Sequence, residues 1–591
     1  MNNQKMKIMF FSPNAAIWIH AFPEALVAES LAQQGHEITY IGCGGVLDKY
    51  CISMSAFGIH FGDDRSRKKR ICSKCIKNEK LLRSNFAFSG PDLIDLVTES
   101  DKEYADNIVS SIRPDNFLEL VIEEIPIGRI TLFELLLNAK KSSLDFTSVE
   151  WEIYQAALYN SIIVLRGMQK LFKMSIPDRV IAYNTLYSVN NVACSYAKLF
   201  DIPYYMLHAG NILSNRLSTL MLTKENGFHL LRQMVQKWND VKYRPCTASV
   251  LKHVTDHYLE VTRGRSVWAY SSSPKGSSVN LRHFFGINDE QKVICATMSS
   301  YDERFAAGTV EAFPLNIPDI TFTTQIEWIK ALVSYASKRT DLNLIIRVHP
   351  REFPNKRESV LSEHARLLKT EFSRLPANVR VNWPTDNISL YDLAVVTDVF
   401  VNAWSSTGKE MALLGIPVVL FSDKLVFYPA DLNYVGNTET EYFQKIEQAL
   451  EDGWSPEWIR KVYRWSAMEY AYSLLNISES FSYNEYQKEL PFFTRGLNFL
   501  LKFISPDRMQ KLDCRNRAIQ LSDSRKIKAI IESLLNSALD MDLEDYFATE
   551  TEEISYLKKE VQRLVDGIYP ETANGTCLNP LAKRLRDFAK S

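Results

Sequence analysis

The chain has 591 residues, a net charge of −1, 46% hydrophobic and 24% charged residues, the balance of a globular protein of two or three domains. A near-neutral total gives no electrostatic case for nucleic acid or for an anionic membrane surface, and no run reaches the roughly 18 continuous apolar residues of a membrane span. The opening MNNQKMKIMFFSPN has too short an apolar run before Pro13 for a secretory signal, so a cytoplasmic location is expected, and nine cysteines fit reduced thiols better than a disulfide framework.

Lys7 to Phe11 reads as a strand, Ala21 to Gln34 as a helix with Ala25, Ala28, Leu31 and Ala32 at three- and four-residue steps, and Glu37 to Gly42 as the next strand after the C-cap Gly35. This βαβ opening lacks the Gly-x-Gly-x-x-Gly fingerprint of a dinucleotide site. His20 falls where the first loop enters the helix, at the edge of the sheet where ligands bind. It is a candidate general base for an acceptor hydroxyl, with Glu24 one helical turn on in reserve; the alternative is a loop histidine bonded to backbone.

Cys43, Cys51, Cys72 and Cys75 include one C-x-x-C pair, Cys72-Ser-Lys-Cys75. Four thiolates are the set required by a structural zinc or an iron–sulfur cluster, whereas four free thiols in a loop carrying the basic run Arg65 to Arg70 are the plainer reading. Strand patterns return at Asp178 to Tyr183 and Ile202 to Gly210, and His208 ends the second of these, either touching substrate or capping a strand. Lys224 to Ser278 is polar and aromatic-rich, and Ser271 to Ser278 has the composition of a linker.

A second α/β unit begins with the strand Lys292 to Thr297 and the polar loop Met298 to Arg304, which carries Asp302. A helix from Gln325 to Lys338 leads to the strand Leu342 to Val348 and to His349-Pro-Arg-Glu352. Arg347, His349 and Arg351 alternate in that strand and its exit, so they are expected to aim one cationic face at a ligand. Val379 to Trp383 is a strand, Ser389 to Leu393 a short helix and Val395 to Ala403 another strand. Trp404-Ser405-Ser406-Thr407-Gly408 then opens a helix that Gly415 ends. Such a turn offers hydroxyls and helix N–H groups to a phosphate; alternatively Thr407 and Glu410 form a capping box and satisfy only each other.

Ser299-Ser-Tyr-Asp302, Gln325-Ile-Glu-Trp328-Ile, Arg347-Val-His-Pro350-Arg-Glu352 and Trp404-Ser-Ser-Thr-Gly-Lys-Glu410-Met-Ala-Leu-Leu-Gly415-Ile-Pro417 together resemble bacterial capsule polysaccharide biosynthesis proteins, glycosyltransferases of the GT-B type. The resemblance covers the second domain well and the first more loosely, including the cysteine-bearing loop and Ile125-Pro-Ile-Gly-Arg129. The His-Pro and Ser-Ser pairs are also similar to those of Kdo- and sialyltransferases. It implies an α/β fold of two Rossmann-like domains facing across a cleft: residues 1–280 for the acceptor, 281–487 for the nucleotide sugar, and 488–591 as a helical extension. His349, Ser405 and Ser406 would then hold the donor phosphate and Glu410 the ribose. His20 or Asp302 would be the base of an inverting reaction, and no cofactor would be required for catalysis. The acidic pair followed by glycine that some sialyltransferases carry is missing from the first domain, which leaves CMP- and UDP-sugars both open as donors. The implied acceptor is a growing surface glycan or a lipid-linked one. A nucleotide-sugar epimerase of the same architecture and a non-catalytic assembly subunit are the rival readings.

Leu490 to Ile504 is apolar and aromatic with two cations, Arg495 and Lys502; it either packs on the body or contacts the inner face of the membrane. Ile554, Leu557, Val561, Leu564 and Ile568 form a short a/d seam, expected to serve a helical tail or a weak homodimer.

Overall fold

The structure, a computed structural model, describes residues 5–264, 268–270, 272–274, 280–314, 316–356, 358–480, 507–533, 548–570 and 579–591. β1 (Lys7–Phe11), β2 (Glu37–Ile41), β3 (Arg179–Tyr183), β4 (Tyr204–Ala209) and β5 (Thr219–Lys224) form the first sheet. The second contains β6 (Lys292–Thr297), β7 (Leu342–Arg347), β8 (Val379–Asn382), β9 (Val399–Asn402), β10 (Val418–Leu420) and β11 (Tyr434–Val435). β12 (Leu475–Asn476) returns to the first sheet, whose order is β12-β5-β4-β3-β1-β2. β1 to β4 run parallel, while β5 is antiparallel to both β4 and β12.

The second sheet is wholly parallel in the order β11-β10-β9-β6-β7-β8. Its chain starts in the middle at β6, runs outward through β7 and β8, then crosses to β9 and runs out the other way. In such a doubly wound sheet the connections diverge between the two central strands and leave a crevice at their carboxyl ends. Burial on both faces explains why these strands read as continuous apolar runs: every residue of β7 is buried. The α/β class and the two Rossmann-like sheets facing across a cleft agree with the architecture expected from the sequence.

Several elements lie where the sequence suggested otherwise. The polar, aromatic-rich stretch after Lys224 holds two helices, Gly227–Val241 and Ala248–Arg263. Asn226 caps the first by accepting the N–H groups of Phe228 and His229, and Leu230, Met234, Trp238 and Val241 form its buried face. The run from Val395 is split, because a helix over Leu390–Val396 starts from a capping box at Ser389 and the strand begins only at Val399. Tyr301–Thr309 is helical, so Asp302 lies in a first helical turn.

The seam at residues 554–568 is used within the chain. Leu557, Val561, Leu564 and Ile568 on the helix Glu550–Ile568 are buried, in one apolar cluster with Leu251, Val254 and Tyr258. Glu553 locks this packing by accepting from the N–H of Cys246 and from Arg460 and Arg464. Earlier tail residues pack on the first domain, where the Trp18 indole donates to Asp513 at 2.8 Å. The stretch 490–504, read as packing or membrane-facing, lies outside the described residues. Among the described residues no helix is long and apolar enough to cross a membrane.

Candidate functional site

The carboxyl ends of β6, β7 and β9 bring Thr297, Arg347 and Asn402 side by side. A cavity of about 280 Å³ opens there, lined on one side by Arg347, His349, Ser405, Ser406, Thr407 and Glu410, and on the other by Asn211, Leu213, Arg216, His257 and Tyr258. Seven donor-site residues were expected from the sequence, and six of them, all except Arg351, meet at this cavity.

His349 takes its orientation from the turn that Pro350 opens: it is the N-cap of Pro350–Glu352, and its Nδ1 accepts the N–H of Arg351 at 3.2 Å. Burial lowers its pKa from 6.5 to about 4, so the ring is neutral at physiological pH. A neutral imidazole that accepts at Nδ1 carries its proton on Nε2, and the ring is therefore a hydrogen-bond donor. Arg347 is 7% exposed. Its Nη1 donates to Asn382 Oδ1 at 2.6 Å and to the Ile388 carbonyl at 3.0 Å, and among the described residues no carboxylate lies within ion-pair distance. A guanidinium has five donors, so three are left for a ligand.

The hydroxyl turn differs from both readings of its sequence. Ser406 is the N-cap of Thr407–Leu413 and no Thr407–Glu410 capping box forms. Instead the Ser406 hydroxyl donates to Glu410 Oε1 at 2.7 Å and Tyr391 donates to Oε2 at 2.9 Å. The N–H of Thr407 goes to Ser405 Oγ, that of Gly408 to the Ser405 carbonyl, and those of Lys409 and Glu410 to the Ser406 carbonyl. The first N–H groups of this short helix are thus largely used, and side chains supply the polarity of the cavity.

Arg351 and Asp302 are corrections. Arg351 is 3% exposed and pairs with Asp302 at 2.8 Å and Glu358 at 2.7 Å; it also donates to Tyr270 and to the Leu137 carbonyl. The turn at Pro350 breaks the strand alternation and sends this guanidinium into a structural ion-pair cluster. Asp302 is 1% exposed, accepts from Ser300 and Arg351, and does not line the cavity, so it is not placed to act as a base. Two further residues of the quoted motifs act as scaffold. Gln325 brackets the backbone of Ser299 from both sides, and Ser299 Oγ accepts the N–H of Trp404.

In the first domain His20 stacks on Tyr183 with centroids 3.9 Å apart, and His208 lies 5.2 Å from the same ring. Burial lowers their pKa values to about 3 and about 4, with Arg216 adding to both effects. His208 Nδ1 lies 3.0 Å from the Ala209 carbonyl; a carbonyl only accepts, so Nδ1 carries the proton and Nε2 holds the lone pair. Glu24 belongs to the interior, accepting from Ser12 and from the N–H of Tyr183. Burial raises its pKa to about 8, so it is a neutral carboxylic acid there and not a cleft residue.

Arg216, His257, Lys409 and Tyr470 also line the cavity and were not singled out from the sequence. His257 stacks on Tyr470 at 3.8 Å and accepts the N–H of Leu213, while Lys409 pairs with Glu469 and Tyr470. Lys409 was legible as part of the helix start; the other three stand in segments with no motif.

The four cysteines do not form a ligand set. Cys43 accepts from the N–H of Leu47, and Cys75 accepts from Ala16 and bonds Ser53. Burial pushes the Cys51 thiol up to about 12, so without a cation beside it this thiol is protonated. Among the described residues no three His, Cys, Asp or Glu side chains are grouped to hold a metal ion.

No family model and no curated protein matches this chain. Among solved structures it is similar to Thermosulfurimonas dismutans KpsC, a beta Kdo 2,4 transferase, at 14% identity over 51% of this chain and 81% of that one, with a TM-score of 0.32. It is also similar to UDP-GlcNAc 2-epimerase from Neisseria meningitidis bound to UDP-GlcNAc, at 14% identity over 78% and 98%, TM-score 0.25. A third is the Streptomyces nogalater glycosyltransferase SnogD, at 12% identity over 79% and 96%, TM-score 0.22. These overlaps are loose, and the fold assignment rests on the strand orders.

Proposed function

We propose that this protein is a glycosyltransferase that takes a sugar from a nucleotide donor, CMP- or UDP-linked, and passes it to a growing surface glycan or a lipid-linked acceptor. The observation that carries this reading is a cation with three unused donors, Arg347, beside a neutral imidazole donor, His349, at the crevice of a doubly wound sheet. Such a pair suits the phosphate of a nucleotide, whose charge grows as the sugar–phosphate bond breaks. Glu410, already oriented by Ser406 and Tyr391, is an acceptor for ribose hydroxyls.

Across the cleft His208 is the base of this reading, ahead of His20. Neither histidine lines the donor cavity, so this role requires closure of the cleft to bring an acceptor hydroxyl to the His208 Nε2 lone pair; an incoming phosphate raises its depressed pKa by favouring the imidazolium. A metal ion is not required when Arg347 and His349 meet the phosphate, and the domains close water out of the cleft.

The test is a thermal-shift screen against CMP, UDP, GDP and their sugars, followed by nucleotide release with and without glycan acceptor. A ligand at one hundred times its Kd adds about 2.7 kcal/mol to stability. One nucleotide series should raise Tm in the native protein and raise it clearly less in His349→Ala at the same concentration. Turnover without any acceptor would replace transfer by epimerisation, and binding of no nucleotide would remove the enzymatic reading.

A further inference from the structure

A second cavity, about 310 Å³, lies on the other side of His349 and shares His349, Tyr270, Ser405 and Ser406 with the first. Three phenylalanines form one wall: Phe313 and Phe427 have centroids 4.9 Å apart, and Phe228 lies 5.1 Å from Phe427. Arg304 stands against this wall. Its guanidinium is 4.5 Å from the Trp404 ring centroid and 5.1 Å from that of Phe313, and among the described residues it makes no hydrogen bond or ion pair. Glu303, a carboxylate on the same cavity, is 3.6 Å from Arg351 and not within pairing distance of Arg304.

Ring faces only partly replace water around a guanidinium, because they offer no acceptor for its N–H groups. Burial lowers the Arg304 pKa to about 10, which leaves it charged at neutral pH and in want of a counter-charge. Two rings flank the guanidinium within about 5 Å, and its planar fork matches the paired oxygens of a carboxylate or phosphate. The phenylalanine wall fits the apolar face of a pyranose.

We propose that the Arg304 cavity is a subsite for an anionic group, carboxylate or phosphate, carried by one of the sugar substrates; this rests on reading the neighbouring cavity as the sugar-donor site. Trp404 links the two functions, since it stacks with Arg304 and precedes the serines of the donor cavity in the chain. A neutral sugar would leave the guanidinium without an acceptor, so the charge acts as a selection device.

Calorimetric titration with glucuronate, glucose 6-phosphate and glucose tests this on the full chain, on Arg304→Met and on Arg304→Lys. Binding of the nucleotides is measured on all three as a control for folding and for the donor site. The native protein should prefer glucuronate or glucose 6-phosphate over glucose by about tenfold or more. Arg304→Met should lose that preference, Arg304→Lys should keep part of it, and nucleotide affinity should be the same in all three. If saturating nucleotide leaves acid-sugar binding intact, the anionic group belongs to the acceptor. If a neutral nucleotide sugar displaces the acid sugar, the group belongs to the donor sugar. Equal affinity for glucuronate, glucose 6-phosphate and glucose, no binding of any of them to a protein that binds nucleotide, or a preference that survives Arg304→Met would each overturn the proposal. A preference without nucleotide binding would leave the anionic subsite standing and remove the sugar-donor reading.

Discussion

The N–H of Arg351 points at Nδ1 of His349 across 3.2 Å, and this bond decides which nitrogen of the imidazole carries the proton. With Nδ1 used as an acceptor, Nε2–H is left for a phosphate oxygen. A hydrogen bond to a charged group contributes about 1.5–3 kcal/mol, so His349→Ala should weaken nucleotide binding by about 10- to 100-fold. The ring of the free protein is neutral down to about pH 4, so binding does not need an imidazolium formed beforehand, and a higher affinity at pH 5.5 than at 7.5 would report a proton taken up together with the phosphate. Titration calorimetry at pH 5.5 and 7.5 reads both effects.

Two arginines four residues apart should behave differently. Arg347 meets only neutral acceptors and lines the cavity; Arg351 pairs with Asp302 and Glu358 away from it. Arg347→Met is expected to abolish nucleotide binding; the Asn382 Oδ1 and Ile388 carbonyl it leaves without a donor cost stability, partly offset by removal of a buried cation that has no counter-charge. Arg351→Met leaves Asp302 buried without its partner, which costs about 3–5 kcal/mol, and should lower Tm strongly. The reverse pattern in a thermal-shift comparison would reassign the donor site.

Gly408 marks a close approach. A Cβ there would fall 1.8 Å from the Tyr428 hydroxyl and 2.8 Å from Asn433 Oδ1. Tyr428 bonds Asn402, and Asn402 holds both the carbonyl and the N–H of Ser405. Gly408→Ala therefore pushes on the support of the hydroxyl turn. It should cost about 1–3 kcal/mol of stability, the range for overpacking, and weaken nucleotide binding, whereas Gly453→Ala, with nothing within 4 Å of its Cβ, should leave binding unchanged.

Lys140 ties the two domains. Its side chain is wholly buried, and its ammonium donates to the carbonyls of Arg351, Phe353 and Val360 at 2.6, 3.1 and 2.9 Å. Lys140→Met leaves three carbonyls without that donor, at about 1–3 kcal/mol for each one left buried and unpaired. Faster hydrogen exchange at residues 351–356 and 358–363 is the expected local signature.

Stability should be greatest in mildly acid solution. His20, His208 and His349 titrate at about 3, 4 and 4 in the fold against 6.5 ordinarily. Their neutral forms favour the fold fully above pH 6.5, and this contribution is lost as the unfolded chain takes up protons below it. Glu24 and Glu134 titrate at about 8 and 7 against 4.5; their contribution is full below pH 4.5 and is lost as pH rises through 8. The two drifts oppose each other between pH 4.5 and 6.5 and act alone on either side. Calorimetric Tm should accordingly fall from pH 6.5 to 8, and Glu24→Gln should flatten that fall; a Tm that rises steadily to pH 8 would contradict the assignment.

The central strands were legible because parallel strands buried on both faces must be apolar throughout: Lys292–Thr297 was read to the residue, and Leu342–Arg347 to within one. The short helix after Ser389 was read as well, but its end was not: it runs on to Val396 and the strand starts at Val399 rather than Val395, since Ala394-Val395-Val396 is as apolar as the strand that follows. The helices after Asn226 were missed although Leu230, Met234, Trp238 and Val241 keep helical spacing, because polar and aromatic residues between them masked the stripe.

Residue types and their order along the chain determined by themselves that Arg347, His349 and the serines would stand at strand ends, because strand period and breakers are local properties. They could not tell Arg347 from Arg351, or the place of Glu24 from that of His208. Those roles depend on which carboxylate, carbonyl or ring arrives from distant sequence, and on how much water is left when it does. Asp302 meets Arg351, and Tyr391 meets Glu410, only after the sheet has closed, so pairing and burial, which decide charge and chemistry, were settled by the tertiary structure alone.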